Sequence, residues 1–160
     1  MISDWKNIYE ENKMIDNIYQ EKYKGINDFY RKNAIELLVE LGEFVNETKC
    51  FKYWTIKPVE KEKMLEELAD CITMVMYFYH ELDIEFSIEK IDNKIDLLHL
   101  INQTFYLGTK LIDKCDEKIV KEICSNLFNI SEVLNIKEEE IIESIKNKHK
   151  IIKNRLNSNY

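Results

Sequence analysis

Glycine and proline are nearly absent from this sequence. Its 160 residues include three Gly and one Pro. Strand-rich folds need more turn-forming residues than this, so the scarcity favours long helices. It also excludes the glycine-rich loops that hold phosphate groups in Walker A and dinucleotide-binding motifs. Any chemistry on phosphates would therefore have to use side chains and a metal ion.

Positive charge is also in short supply. Lys and Arg number 23 against 30 Asp and Glu, which gives a net charge of −7. Proteins that bind nucleic acid need a basic surface to neutralise phosphates, so we expect no nucleic-acid partner.

Long apolar runs are missing as well. The longest, over residues 71–79, falls far below the roughly 20 residues of a membrane-spanning helix, so we expect no membrane association. The first residues are too polar for a signal peptide. Four Cys are present without a CxxC pair, which suits reduced core thiols. Together these features predict a cytoplasmic protein.

Apolar residues recur at helical spacing along most of the chain. Ser87 is expected to cap the fourth helix, and Asn135 with Glu138 to form a capping box for the last. We predict an all-α fold, a single helical bundle of about five to six helices that forms one domain over residues 1–160. The helices are predicted at about 4–20, 31–49, 60–83, 88–113, 116–133 and 136–156.

The second predicted helix carries a stripe of glutamates beside its apolar face. At about 100° per residue they fall on one side of the helix. Glutamates on a helix usually form a solvated face, so the stripe alone does not indicate a site. Its members are Glu36, Glu40, Glu43 and Glu47.

The third predicted helix places two carboxylates on the same face, Glu67 and Asp70, at i and i+3. The stripe continues through Met74 and Phe78, where the helix buries apolar surface. Buried carboxylates are unfavourable unless they are paired or bind a metal. Lys63, one turn upstream, offers a structural salt bridge as the simpler explanation.

The two helices together carry an ExxE motif followed by an ExxD motif. Four converging carboxylates would repel one another without a counter-charge. Ligands that are all oxygen favour a hard divalent ion, Mg²⁺ or Mn²⁺. Two such ions could bind a triphosphate and lower the pKa of an attacking water.

The segments that carry these motifs are ELLVELGEFVNETKCFKYW and KEKMLEELAD, within residues 36–70. They resemble the metal motifs of the dimeric dUTPases, a family of the all-α NTP pyrophosphatase superfamily that also includes MazG-like enzymes. Weaker similarities are IYEENKMID at residues 8–16 and the spacing of Lys148, Arg155 and Tyr160. The resemblance implies an all-α NTP pyrophosphatase fold and a homodimer.

The resemblance also implies a reaction, the hydrolysis of dUTP to dUMP and pyrophosphate. Glu40, Glu43, Glu67 and Asp70 would hold Mg²⁺ or Mn²⁺, and Glu40 or Glu43 would take the proton from the attacking water. The substrate-binding positions that it implies are Asn12, Glu47, Lys52, Trp54, Lys148 and Arg155.

This sequence departs from the family pattern at four positions. Asn12 replaces a Gln, Thr73 a His, Ile152 an Asn and Leu156 a Gln. The metal motifs are intact, whereas the expected contacts to base and sugar are altered.

Other interpretations remain open at this stage. Trp54 and Phe51 are of a type more often found in a core or an interface, and Lys148 and Arg155 would also complement a helix dipole. His149 is expected to be structural or exposed. The chain could be a MazG-like or dCTP-type pyrophosphatase with another base preference, or a helical interaction protein without activity.

Overall fold

Six α-helices make up the fold in the computed structural model, which describes residues 2–89 and 95–157. The all-α prediction is confirmed, since no strand occurs in the part of the chain that the structure describes. Tyr160 lies outside it. The helices are α1 (Ile2–Lys22), α2 (Phe29–Thr48), α3 (Lys61–Glu81), α4 (Leu97–Asp113), α5 (Glu117–Val133) and α6 (Glu138–Asn157).

Helix α3 lies at the centre of the bundle and packs against α1, α2, α5 and α6. Its sequence after Asp70 is apolar on nearly every side, which is typical of a helix enclosed by others. Residues from Val75 to Tyr79 are all buried. The first half of α3 is more polar, and its carboxylates therefore lie where the buried centre meets the edge of the bundle.

The predicted start of the fourth helix is wrong. Helix α4 begins at Leu97, where the side chain of Asp96 accepts a hydrogen bond from the backbone N–H of His99 at 3.1 Å. Ser87 does not cap a helix that begins at residue 88, because residues 88 and 89 are not helical and the Ser87 carbonyl accepts a hydrogen bond from the Tyr79 hydroxyl at 3.2 Å. Residues 90–94 of the predicted helix lie outside the described residues.

The predicted capping box of the last helix is also wrong. Asn135 has a left-handed backbone with φ of 55° and donates its N–H to the Glu132 carbonyl, so it belongs to the end of α5. The carboxylate that reaches back is Glu140, which accepts the N–H of Lys137 at 3.0 Å. Helix α6 consequently begins at Glu138, two residues later than predicted.

Helices α2 and α4 approach each other closely at Gly108. A Cβ atom at this position would lie 2.7 Å from Cδ2 of Leu38, which is too short for a carbon–carbon contact. Helix α2 also packs along α3. Contacts on these two sides fix the position of α2 and of the glutamates that it carries.

One hydrophobic core draws buried residues from all six helices. Cys71 and Cys124 are buried in it as predicted, whereas Cys50 and Cys115 are only partly buried. All four are free thiols. Among the described residues no helix combines the length and the apolar character needed to cross a membrane.

Candidate metal centre

Three carboxylates from two helices converge beside the first half of α3. Glu40 of α2 and Glu67 and Asp70 of α3 each offer an oxygen atom, and these atoms lie within 4.8 Å of one another. All three residues are partly buried. Helix α3 puts Glu67 and Asp70 one turn apart on the same face, and α2 packs along that face and brings Glu40 to them.

The other glutamates of α2 surround this cluster. Glu43 is exposed, and its negative charge raises the pKa values of both Glu40 and Glu67, so it lies beside them on the solvent side. Glu47 acts on Glu67 in the same direction. At the other end of the stripe, burial raises the pKa of Glu36, and the charge of Asp70 adds to this effect.

The cluster holds more negative charge than its surroundings stabilise. Burial, together with the charges of Asp70 and Glu43, raises the pKa of Glu40 to about 7. Burial also raises the pKa of Glu67, with smaller contributions from Glu43 and Asp70. The ammonium of Lys148 opposes both shifts without cancelling them. Glu40 and Glu67 thus hold a proton more tightly than they would in water.

Lys148 reaches into the cluster from α6. Its Nζ lies 2.6 Å from both carboxylate oxygens of Asp70. The direction of approach allows a hydrogen bond to Oδ2, whereas Oδ1 is buried without one. The salt bridge considered for Lys63 does not involve the cluster, because Lys63 pairs with Glu60 at 2.8 Å on the surface.

These features fit a hard divalent cation. The ligand atoms are all oxygens, as Mg²⁺ and Mn²⁺ prefer. The buried Oδ1 of Asp70 has the Lys148 ammonium beside it but no well-directed hydrogen bond, and burial together with neighbouring negative charges raises the pKa values of Glu40 and Glu67. A bound cation would coordinate Oδ1 of Asp70 and would compensate the negative charge of Glu40 and Glu67.

Asn12, a predicted substrate-binding residue, lies in a buried hydrogen-bond network below the cluster. Only 4% of its surface is exposed. Its oxygen accepts from Nε2 of His149 at 3.1 Å, and its nitrogen donates to Asp16 at 3.1 Å and to the Thr73 carbonyl at 3.3 Å. In this arrangement both N–H groups of the amide are used, and Asn12 links α1 to α3 and α6.

The same network reaches the backbone of Asp70 through Thr73. Its hydroxyl donates to the backbone carbonyl of Asp70 at 3.0 Å. His149 is structural, as expected: it is buried, and its Nδ1 lies 3.1 Å from Glu11, which also pairs with Lys153. Nothing in the sequence suggested these contacts, since His149 and Asn12 are 137 residues apart.

Trp54, a predicted substrate-binding residue, lies with Phe51 in the loop that joins α2 to α3. Trp54 is 64% exposed and Phe51 44% exposed, so neither belongs to the core of this chain. The two rings are in edge contact with centroids 6.0 Å apart. The ammonium of Lys52 lies 5.7 Å from the centre of the Phe51 ring. These side chains remain available to a substrate or to another subunit.

Arg155 lies near the end of α6. It is seven residues beyond Lys148, which places both on the same side of the helix. Together with Tyr19, Tyr23 and Leu156, it borders an open cleft of about 600 Å³. Arg155 is therefore about 10 Å along the helix from Lys148, a separation that an extended triphosphate could span.

Carboxylates that converge on adjacent helices of a bundle are a feature of the all-α hydrolases that act on nucleotides, a class that this fold and site fit. The sequence model of a family described as dUTPase matches residues 4–160, and the chain belongs to this dUTPase family. It is a dUTP diphosphatase that hydrolyses dUTP. A comparison with curated proteins found no match.

The family match decides between the interpretations that the sequence left open. It supports dUTP hydrolysis over a MazG-like or dCTP-type pyrophosphatase, and an enzyme over an inert helical interaction protein. Members of the family generally use a divalent metal, and the cluster of Glu40, Glu67 and Asp70 is a possible site for it.

Proposed function

We propose that Glu40, Glu67 and Asp70 bind Mg²⁺ together with the triphosphate of dUTP. The observation that carries this proposal is the convergence of three carboxylate oxygens within 4.8 Å. When bound, Mg²⁺ neutralises phosphate charge and lowers the pKa of the attacking water. Mn²⁺ suits the same oxygen ligands and serves as a probe.

Glu43 is the proposed general base. It is exposed and lies beside Glu40 and Glu67, where a carboxylate can face both the water and the solvent. The water oxygen bonds to phosphorus, its proton passes to Glu43, and the anhydride bond between the α and β phosphates breaks. The products are dUMP and pyrophosphate. Glu40 acts in this scheme by holding the metal and by orienting the water.

The proposed phosphate contacts come from α6. Lys148 is already at the cluster, and Arg155 can bind phosphate oxygens in pairs through its planar guanidinium. Lys52 and Trp54 belong to the loop that follows α2 and would close the site over the nucleotide. Glu47 would complete the acidic edge near Glu67.

Asn12 is retained as a proposed contact to the uracil base. Its amide nitrogen is fully used, whereas its oxygen has a second lone pair beyond the one that accepts from His149. Reading the base would therefore require this oxygen, or a rearrangement of the buried network. Base selectivity should depend on His149 as well, because His149 holds the amide in place.

We also propose that the enzyme is a homodimer in the cytoplasm. Helices α2 and α4 pack together and both carry large apolar side chains on the surface. Ile35 and Val39 of α2 are about half exposed, as are Leu98 and Tyr106 of α4. A second copy that covers these residues would remove apolar surface from water. Sedimentation equilibrium should give twice the chain mass of 19.3 kDa.

Calorimetric titration with Mn²⁺ in the absence of substrate tests the metal site directly. Glu67→Gln should weaken binding by at least about tenfold, because it removes a charged ligand. Glu66→Gln is the matched control, since Glu66 is the exposed neighbour on the same helix. Equal affinity for Mn²⁺ in both variants would remove Glu67 from the site.

A further inference from the structure

The ammonium of Lys148 lies beside the carboxylate oxygens that are proposed to bind the metal ion. Its Nζ is 2.6 Å from each oxygen of Asp70. Metal–oxygen distances for Mg²⁺ are about 2.1 Å. An ion bound to the same oxygens would therefore lie no more than roughly 4–5 Å from the ammonium, and like charges at that distance repel strongly.

The backbone that carries Lys148 is fixed, whereas its side chain is free to turn. The next residue, His149, is buried and contacts both Asn12 and Glu11 of α1. Lys153, one turn further, pairs with Glu11 as well. In contrast, 35% of the Lys148 side chain is exposed. Relief of the repulsion must come from rotation of this flexible side chain, since α6 itself is held.

We propose that Lys148 is an internal counter-ion that occupies the carboxylate cluster in the metal-free enzyme and leaves it when a divalent cation binds. The inference rests on the proposed metal site. Loading of the cation would then release the ammonium from Asp70 and make it available to the triphosphate. One side chain would thus both keep the empty site stable and join metal binding to substrate binding.

This role predicts opposite effects on two ligands. Lys148→Met keeps most of the side-chain length and removes the charge. Without the competing ammonium, Mn²⁺ should bind on the order of tenfold more tightly in the absence of substrate. The affinity for the triphosphate should fall, because a phosphate contact is lost. A lysine that only stabilised the fold would not tighten metal binding.

The test is a calorimetric Mn²⁺ titration of the full chain without substrate, on the wild type, Lys148→Met and Lys146→Met. Lys146 is a suitable control, because it is an exposed lysine of the same helix that pairs with Asp4 at 4.0 Å, away from the cluster. Tighter binding in Lys148→Met alone supports the proposal. Unchanged or weaker binding, or equal tightening in both variants, overturns it.

A second measurement needs no variant. Lysines of the wild-type enzyme are acetylated briefly with and without Mg²⁺, and the rate at each site is read by mass spectrometry. Mg²⁺ should speed modification of Lys148 several-fold, because the ammonium leaves its ion pair, and should leave Lys146 unchanged. Equal rates at Lys148 would contradict its release. If the wild type bound neither Mn²⁺ nor Mg²⁺, the proposed metal site would be wrong. If it bound the metal but Lys148 showed no change, only the proposed role of Lys148 would be wrong.

Discussion

Substitution of Glu40 by Gln should stabilise the metal-free enzyme at neutral and alkaline pH. The change keeps the shape of the side chain and removes one negative charge from the cluster of Glu40, Glu67 and Asp70. Burial and the neighbouring charges raise the pKa of Glu40 from its ordinary value of 4.5 to about 7. The folded state therefore favours the protonated carboxyl, and its ionisation opposes folding.

The size of the effect follows from that shift. A tenfold change in proton affinity corresponds to about 1.4 kcal/mol, so the shift sets an upper bound of about 3 kcal/mol. Glu40 is only partly buried, and solvent screening reduces the expected gain to about 1–2 kcal/mol. For a chain of this size, that gain raises the Tm by roughly 3–6 °C.

The stability difference between Glu40→Gln and the wild type should depend on pH. Because the folded-state pKa of Glu40 is raised, the protonated carboxyl contributes favourably to the free energy of folding. This contribution is fully present below pH 4.5 and is lost as the pH rises through about 7. The advantage of Glu40→Gln should therefore be present at about pH 8 and vanish in acid. Added Mg²⁺ should reverse the order, because it stabilises the wild type more than the variant.

Urea denaturation with chelator present, at several pH values, measures this difference. Glu143→Gln is the control, since Glu143 is an exposed glutamate of α6 beyond its first turn. If Glu40→Gln were less stable than the wild type at alkaline pH without metal, Glu40 would be making a favourable contact, and the account of a charge-crowded cluster would be wrong.

Three further predictions concern the buried network, the end of α6 and the competition between protons and metal. His149→Ala should lower the free energy of unfolding by about 2–4 kcal/mol, because it leaves the buried Asn12 oxygen without its donor and opens a cavity. Urea denaturation measures this loss, and a change smaller than the experimental error would show that the network does not stabilise the fold. Arg155→Ala should raise KM for dUTP while calorimetric Mn²⁺ affinity stays constant; unchanged kinetics would return Arg155 to a role in complementing the helix dipole. Mn²⁺ affinity should rise between about pH 6 and pH 8 as Glu40 loses its proton; affinity independent of pH would exclude Glu40 as a ligand.

The local pattern of the sequence accounts for the helices and for the carboxylate pairs. Glu67 and Asp70 share a face because of helical geometry alone. The adjacency of α2 and α3 follows from the general tendency of consecutive amphipathic helices to pack against each other. Even so, the pattern did not distinguish Glu43, which is exposed, from Glu40, which enters the cluster. That difference depends on the rotation of α2 against α3.

Contacts between distant parts of the chain could not be predicted from the sequence. The pairing of Lys148 with Asp70 and of His149 with Asn12 requires the position of α6 in the bundle. The start of α4 was predicted wrongly for a related reason. Ser87 has a side chain that can cap a helix, but its carbonyl accepts a hydrogen bond from the Tyr79 hydroxyl. The exposure of Trp54 likewise depends on the loop after α2, whose course no periodicity describes.

Release of pyrophosphate from dUTP is the measurement that tests the central claim most directly. The assay compares the wild type with Asp70→Asn at matched Mg²⁺ concentration, and the wild type with and without chelator. Loss of the metal or of its ligand should reduce kcat/KM by at least about 10²-fold, while circular dichroism shows an intact helical fold. If Asp70→Asn or the chelated enzyme hydrolysed dUTP at the wild-type rate, the carboxylate cluster would not be the catalytic metal site.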